Sequence, residues 1–234
     1  MIDILFIAFE FAPLNIGGVH RPLRMVNKLK SLGYNPVVIT IDAEKVYNKQ
    51  KIDYTLNEKI DPSISIVKTD YQKKRWRRKF INSGYSFSPD PIYIEWRKEA
   101  EKQITGAFGI YAFKAAFVTL PPFSLGTLGI WVKQKFNIPL IIDMRDAWSL
   151  WITAPYASYL HFLNIKRQEK RLLKNADVIL ATSHQTIQDL QQLHPEVPAE
   201  KYFFIPNGFE DYLQETFAMQ DAKKEVIKIG YVGS

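Results

Sequence analysis

Five short apolar runs with little polar alternation recur along the chain, at residues 2–9, 36–41, 115–119, 139–142 and 176–182. A strand with one wet face alternates apolar and polar side chains. Runs without that alternation need cover on both faces, the condition of a parallel sheet between helical layers. Helical patterns stand between them, at residues 19–32 (closed by Gly33), 92–107, 125–136, a basic amphipathic stretch ending at Leu173, and about 184–193 with Ser183 as its cap. Residues 64–68 and 202–205 read as two further strands, and residues 42–62 as polar loop with short helix. Residues 2–41 follow the order strand, glycine loop, helix, strand, which makes a βαβ unit with a right-handed crossover. The whole pattern predicts an α/β fold: a doubly wound, Rossmann-like parallel sheet.

With 234 residues, 47% of them hydrophobic, the chain can bury one large core or two small ones. It has no cysteine, which excludes disulfides, thiolate metal sites and a cysteine nucleophile and fits a reducing compartment. His20, His161, His184 and His194 show no metal-ligand spacing, so no metal is expected. Asp3 and Glu10 make the N-terminus read as a strand and not as an export signal. No apolar stretch reaches the roughly 18–20 residues of a membrane span. The net charge of +7 favours an anionic partner or surface. Its densest expression is Lys73, Lys74, Arg75, Trp76, Arg77, Arg78 and Lys79. That run reads as a solvated basic face or as a patch for anionic lipid headgroups. Nucleic acid is not expected, because nothing else in the chain resembles a base-reading module.

Three segments can carry chemistry. The run 139–142 stops in Asp143, Arg145 and Asp146, followed by Trp148. Charges just past a buried parallel strand sit where open α/β sheets bind ligands, although ion pairing that ties down a loop would look the same. Arg145 can clamp an anion but cannot act as acid or base. Asp146 is either an acceptor for hydroxyls or Arg145's structural partner. Gly17 and Gly18 lie between the first strand and helix, where backbone N–H groups can approach an anion, or where they only make a turn. The spacing is not G-x-G-x-x-G, so Asp42 is weak evidence for a dinucleotide site. His20 and Arg21 sit beside those glycines. The loop from Thr119 to Ser124 is expected to flank the same switch point.

Taken together, "GGVHRPLRMVNKLKSLGYNPVVIT", "IPLIIDMRDAW", "NADVILATS", "IPNGFED" and "IGYVGS" resemble the N-terminal domain of family 4-type glycosyltransferases with the GT-B fold. The resemblance is weakest over residues 43–110. It implies two Rossmann-like domains facing a cleft, with a nucleotide-diphosphate sugar as substrate and no further cofactor. Gly17 and Gly18 would be the loop that closes over the donor phosphates. Arg145 and Asp146 would be the pair near the reacting sugar, where many members have His-Asp. His20, Arg21, Thr119, Ser124 and Trp148 would serve acceptor or anion binding, and Asn207 and Gly208 the hinge.

The resulting expectation is a Rossmann-like acceptor-side domain over residues 1–209, with a variable part at 43–110. A linker at 210–225 and the first strand of a C-terminal donor domain at 226–234 come next. The function expected is hexosyl transfer to a glycan or lipid-linked acceptor, as in polysaccharide biosynthesis, with retention, and no activity of the 234 residues alone. The expected setting is cytoplasmic, with peripheral contact on the inner face of a membrane. Two alternatives stand beside it: a nicotinamide-dependent oxidoreductase, and a non-enzymatic anion or membrane-surface module built around residues 73–80.

Overall fold

The computed structural model describes residues 1–71, 92–150 and 158–208. Their elements are β1 (Ile2–Ile7), α1 (His20–Ser31), β2 (Tyr34–Ile41), α2 (Ala43–Val46), α3 (Thr55–Glu58), β3 (Ser65–Thr69), α4 (Ile92–Ala107), β4 (Ala115–Leu120), α5 (Leu125–Phe136), β5 (Leu140–Met144), α6 (Tyr159–Asn175), β6 (Val178–Ala181), α7 (His184–Leu193) and β7 (Tyr202–Phe204), with 3-10 turns at Lys49–Lys51 and Ala199–Lys201. The strands pair in parallel in one sheet, in the order β3-β2-β1-β4-β5-β6-β7. The expected doubly wound sheet is therefore present. Its switch point lies between β1 and β4, whose exits form one mouth.

Chain direction across the sheet decides which face each helix covers. The step from β1 to β2 runs one way, and the steps from β3 onward run the other. Right-handed crossovers then place α1 on one face and α4 to α7 on the opposite one. Alternate side chains along the strands obey this division. Leu5, Ile7, Val37, Ile39, Val118, Leu140 and Ile142 pack with Trp96, Ile104, Leu128, Leu172 and Leu190. Ile4, Phe6, Val38, Phe117 and Leu180 pack with Val19, Leu23, Val26, Ala43 and Leu56. Phe6 and Phe117 stack across β1 and β4, with ring centroids 4.7 Å apart.

Local signals behave as their chemistry requires. Gly33 adopts φ +86 directly after α1, a backbone state that lacks a Cβ penalty only in glycine. The Ser183 hydroxyl accepts the Thr186 N–H at 3.0 Å and caps α7. Some boundaries move. β1 ends at Ile7, although the buried Ala8 and Phe9 keep backbone hydrogen bonds to β2, with the Ala8 N–H donating to the Ile39 carbonyl at 3.1 Å and the Ile41 N–H to the Phe9 carbonyl at 3.4 Å. β5 continues to Met144, so Asp143 belongs to the sheet and not to a loop. The basic run 73–79, the stretch 210–225 and the strand expected at 226–234 lie outside the described residues.

Two glycines let α5 approach its neighbours. A Cβ on Gly126 would come within 2.5 Å of Leu172 on α6, and one on Gly129 within 2.8 Å of Leu140 on β5. Because α5 spans the distance from the β4 exit to the start of β5, this fit helps fix the position of both strands. Gly126→Val should destabilise the protein by about 1–3 kcal/mol through overpacking. Urea unfolding checks this as a lower midpoint at unchanged slope; an unchanged midpoint would mean the α5–α6 contact is loose.

Candidate functional site

The mouth at the switch point is assembled by two arginines, and neither points its main donors at solvent. Arg21, in the first turn of α1, is 7% exposed and Asp143, near the end of β5, is 0% exposed. The guanidinium Nη2 donates to Asp143 Oδ1 at 2.7 Å, and Nε donates to both carboxylate oxygens at 3.1 Å. The Thr119 hydroxyl, from the end of β4, donates to Asp143 Oδ2 at 3.0 Å. The remaining Arg21 nitrogen, Nη1, donates to the Pro206 carbonyl at 2.9 Å and to Asn207 Oδ1 at 3.3 Å. One buried carboxylate thus ties α1, β4 and β5 together, and its arginine also holds residues 206–207. The Arg24 Nη1 bonds the Gly208 carbonyl in the same region. These forked, charge-assisted bonds are directional as well as strong.

Arg145 makes the second knot. Its Nε donates to the Leu120 carbonyl at 2.8 Å, Nη2 to the Pro121 carbonyl at 2.8 Å, and Nη1 to the Gly18 carbonyl at 2.7 Å. The glycine loop and the β4 exit are thereby fastened to the β5 exit. Burial pulls the Arg145 pKa down from its ordinary value, against the opposing pull of Asp143, Glu10 and Asp146. An arginine still stays charged under such a shift. A Cβ at Gly18 would lie 2.8 Å from Arg145 Nη1 and 3.4 Å from Glu10 Oε2, so a larger residue there would displace the guanidinium. Glu10 in turn accepts a hydrogen bond from the Tyr47 hydroxyl at 2.5 Å.

Several expected ligand contacts are internal instead. Arg21 holds the carboxylate of Asp143 and is buried. Thr119 donates to the same carboxylate and is buried. Ser124 is buried at the start of α5, where its carbonyl accepts from Thr127. Trp148 is buried and stacks on Phe123, with centroids 5.5 Å apart. Arg145 commits three donors to backbone carbonyls, so its first duty is to shape the mouth. Gly17 and Asp146 are exposed, His20 is half-buried at the first position of α1, and no side chain caps that helix N-terminus. No salt bridge joins Asp146 to Arg145 among the described residues. Asn207 and Gly208 sit where the hinge was expected, gripped by Arg21 and Arg24.

Glu10, Glu169 and the roles of Asp143 and His194 escaped sequence reasoning, since nothing local marks a partner 122 residues away. Glu10 was legible only as a charge that interrupts an apolar run. Among the described residues, no group of three or more histidines, aspartates or glutamates is arranged to hold a metal ion. No described helix is long and apolar enough to cross a membrane. A cleft of about 780 Å³ runs beside α1, lined among others by Arg24, Met25, Lys28, Ile205 and Pro206; its lining includes neither Gly18 nor Asp146.

Residues 106–208, from the end of α4 to the hinge, match the family described as glycosyl transferase 4-like domain. The match covers less than half of the chain's 234 residues. The fold agrees. Sucrose-phosphate synthase from Thermosynechococcus elongatus superposes with a TM-score of 0.58 at 13% identity, over 89% of this chain and 49% of that one. The apo UGT2 of Phytolacca americana gives 0.57 at 12% identity, over 92% and 55%. The same UGT2 complexed with UDP-2fluoro-glucose and pterostilbene gives 0.54 at 12%, over 89% and 53%. At such identities the likeness establishes the fold alone, the Rossmann-like sheet of GT-B glycosyltransferases. The chain spans about half the length of these structures. No curated protein matches it by sequence.

The buried pair at the base of the mouth sets a stability test. Asp143→Ala leaves the Arg21 charge buried without its carboxylate and should cost about 3–5 kcal/mol. Replacing both residues by leucine should cost less than Asp143→Ala alone. A double-mutant loss in urea unfolding equal to the sum of the Arg21→Leu and Asp143→Leu losses would show that the pair is not coupled.

Proposed function

We propose that this chain is the acceptor-side half of a glycosyltransferase that moves a sugar from a nucleotide-diphosphate sugar to a glycan or lipid-linked acceptor, with retention. The observation that carries the reading is the Arg145 clamp on the Gly18 carbonyl. It fixes a glycine loop at the switch point, directly before a helix whose N-terminus has no side-chain cap. Backbone N–H groups in that position suit a diphosphate. The UGT2 structure with UDP-2fluoro-glucose supports a nucleotide sugar as the donor class.

The roles derive from exposure and charge. Gly17 and Gly18 present backbone to the donor phosphates. Asp146, exposed beside the clamp, accepts a hydroxyl of the reacting sugar. Arg145 holds the loop and adds positive potential from below. With arginine where many family members carry histidine, no titratable base is offered by that pair. Transfer then depends on positioning and on electrostatic stabilisation of the leaving diphosphate. The partner domain, extending from residue 226, would supply the remaining donor contacts. On this reading the 234 residues alone turn over no donor, and a cytoplasmic membrane face is the natural place for a lipid-linked acceptor.

Saturation-transfer NMR with UDP-glucose, GDP-mannose and NAD tests the donor class. Saturation is expected on a nucleotide sugar, strongest at the diphosphate-proximal ribose. Gly18→Val, which drives a side chain into Arg145, should weaken it at least about tenfold, the loss expected for one well-placed anion contact. Asp146→Ala should remove saturation from the sugar ring and keep that of the nucleotide. Saturation of NAD alone would overturn the transferase reading in favour of a nicotinamide enzyme. Donor turnover by the purified chain would overturn the half-site assignment.

A further inference from the structure

Glu169 lies in the middle of α6, is 0% exposed, and belongs to no layer of apolar packing that would explain a carboxylate. Its partners do. The Ser149 backbone N–H donates to Oε1 at 3.1 Å, and the Ser149 hydroxyl donates to Oε2. His194 Nε2, at the C-terminal end of α7, lies 2.9 Å from the same Oε2. Ser149 and His194 are 2% and 0% exposed. A buried carboxylate is costly unless its lone pairs are met by donors, and here donors from two other segments meet them. Burial, with the charges of Glu169 and Glu196 behind it, pushes the neighbouring Tyr202 phenol up to about 12.

What Glu169 holds is the other end of the loop that carries Asp146. On the upstream side, Asp146 comes directly after Arg145, which is fixed by three carbonyls, while the Thr182 hydroxyl donates to the Arg145 carbonyl at 2.8 Å. On the downstream side, Trp148 stacks on Phe123 and Ser149 is pinned through both its N–H and its hydroxyl to Glu169. Asp146 itself is exposed between these two anchors. Arg145 alone fixes where the loop leaves the sheet. The path of the next residues needs a second fixed point, and the two oxygens of Glu169 take one Ser149 donor each.

We infer that Glu169 is the positioning residue of the proposed transfer site: by holding Ser149 it sets the path of residues 145–149 and so the place of Asp146 at the mouth. The inference rests on the transferase reading for the role of Asp146, but the anchoring does not. Its test therefore avoids sugar transfer. Because the chain has no cysteine, Asp146→Cys provides a single thiol for a nitroxide label, and Lys98→Cys, exposed on α4, provides a control site. With Glu169 in place the label at 146 should give an immobilised spectrum. In the Glu169→Ala background that immobile component should be lost and the Ser149 amide should exchange at least about tenfold faster, while the label at 98 stays unchanged. Glu169→Gln keeps one oxygen for the Ser149 N–H and should give an intermediate spectrum; it also decides the matter if Glu169→Ala does not fold. An unchanged label at 146 would overturn the inference. Equal loosening at 146 and 98, with a lower melting temperature, would overturn it too, since that marks a general structural role. Neither result depends on a sugar donor, so failure of the transferase reading would appear separately in the NMR titration.

Discussion

Removing the Asp143 carboxylate would leave α1, β4, β5 and residues 206–207 without a common partner. Arg21 reaches it from the helix, Thr119 from the neighbouring strand, and the same guanidinium holds the Pro206 carbonyl. A charge buried this deeply is tolerated only when its donors are fixed in advance. The sheet provides that, because β4 and β5 are paired in register with Thr119 opposite Asp143. The pair adds geometric definition more than net stability, and the mouth above inherits that definition.

On this base stand two clamps that treat the Asp146 loop from opposite sides. Arg145 fixes the exit of β5 against the glycine loop, and Glu169 fixes Ser149 three residues beyond Asp146. Charged residues that a sequence would offer as ligand contacts are thus largely consumed in building the site. What they leave accessible is backbone at Gly17 and Gly18 and the carboxylate of Asp146.

Residues 206–208 are part of the same construction. Arg21 and Arg24 grip residues 206–208 from the first helix, so the segment leaving β7 starts from a fixed point beside the glycine loop.

Strand and helix order, the parallel sheet, the switch point between β1 and β4, the capping Ser183 and the closing Gly33 were legible in the sequence. Each depends on local patterning: apolar runs without alternation, helical spacing, a hydroxyl or a glycine at one position. The sequence also marked Gly17, Gly18, Arg145 and Asp146 as the place to look. It could not tell a ligand-binding arginine from a structural one, because that depends on which carbonyls and carboxylates lie within reach after folding. Arg21 with Asp143 and Glu169 with Ser149 and His194 join residues far apart in the chain. Only tertiary structure decides such pairings, since a hydrogen bond exists only once packing has brought donor and acceptor to about 3 Å and excluded the water that would otherwise satisfy both.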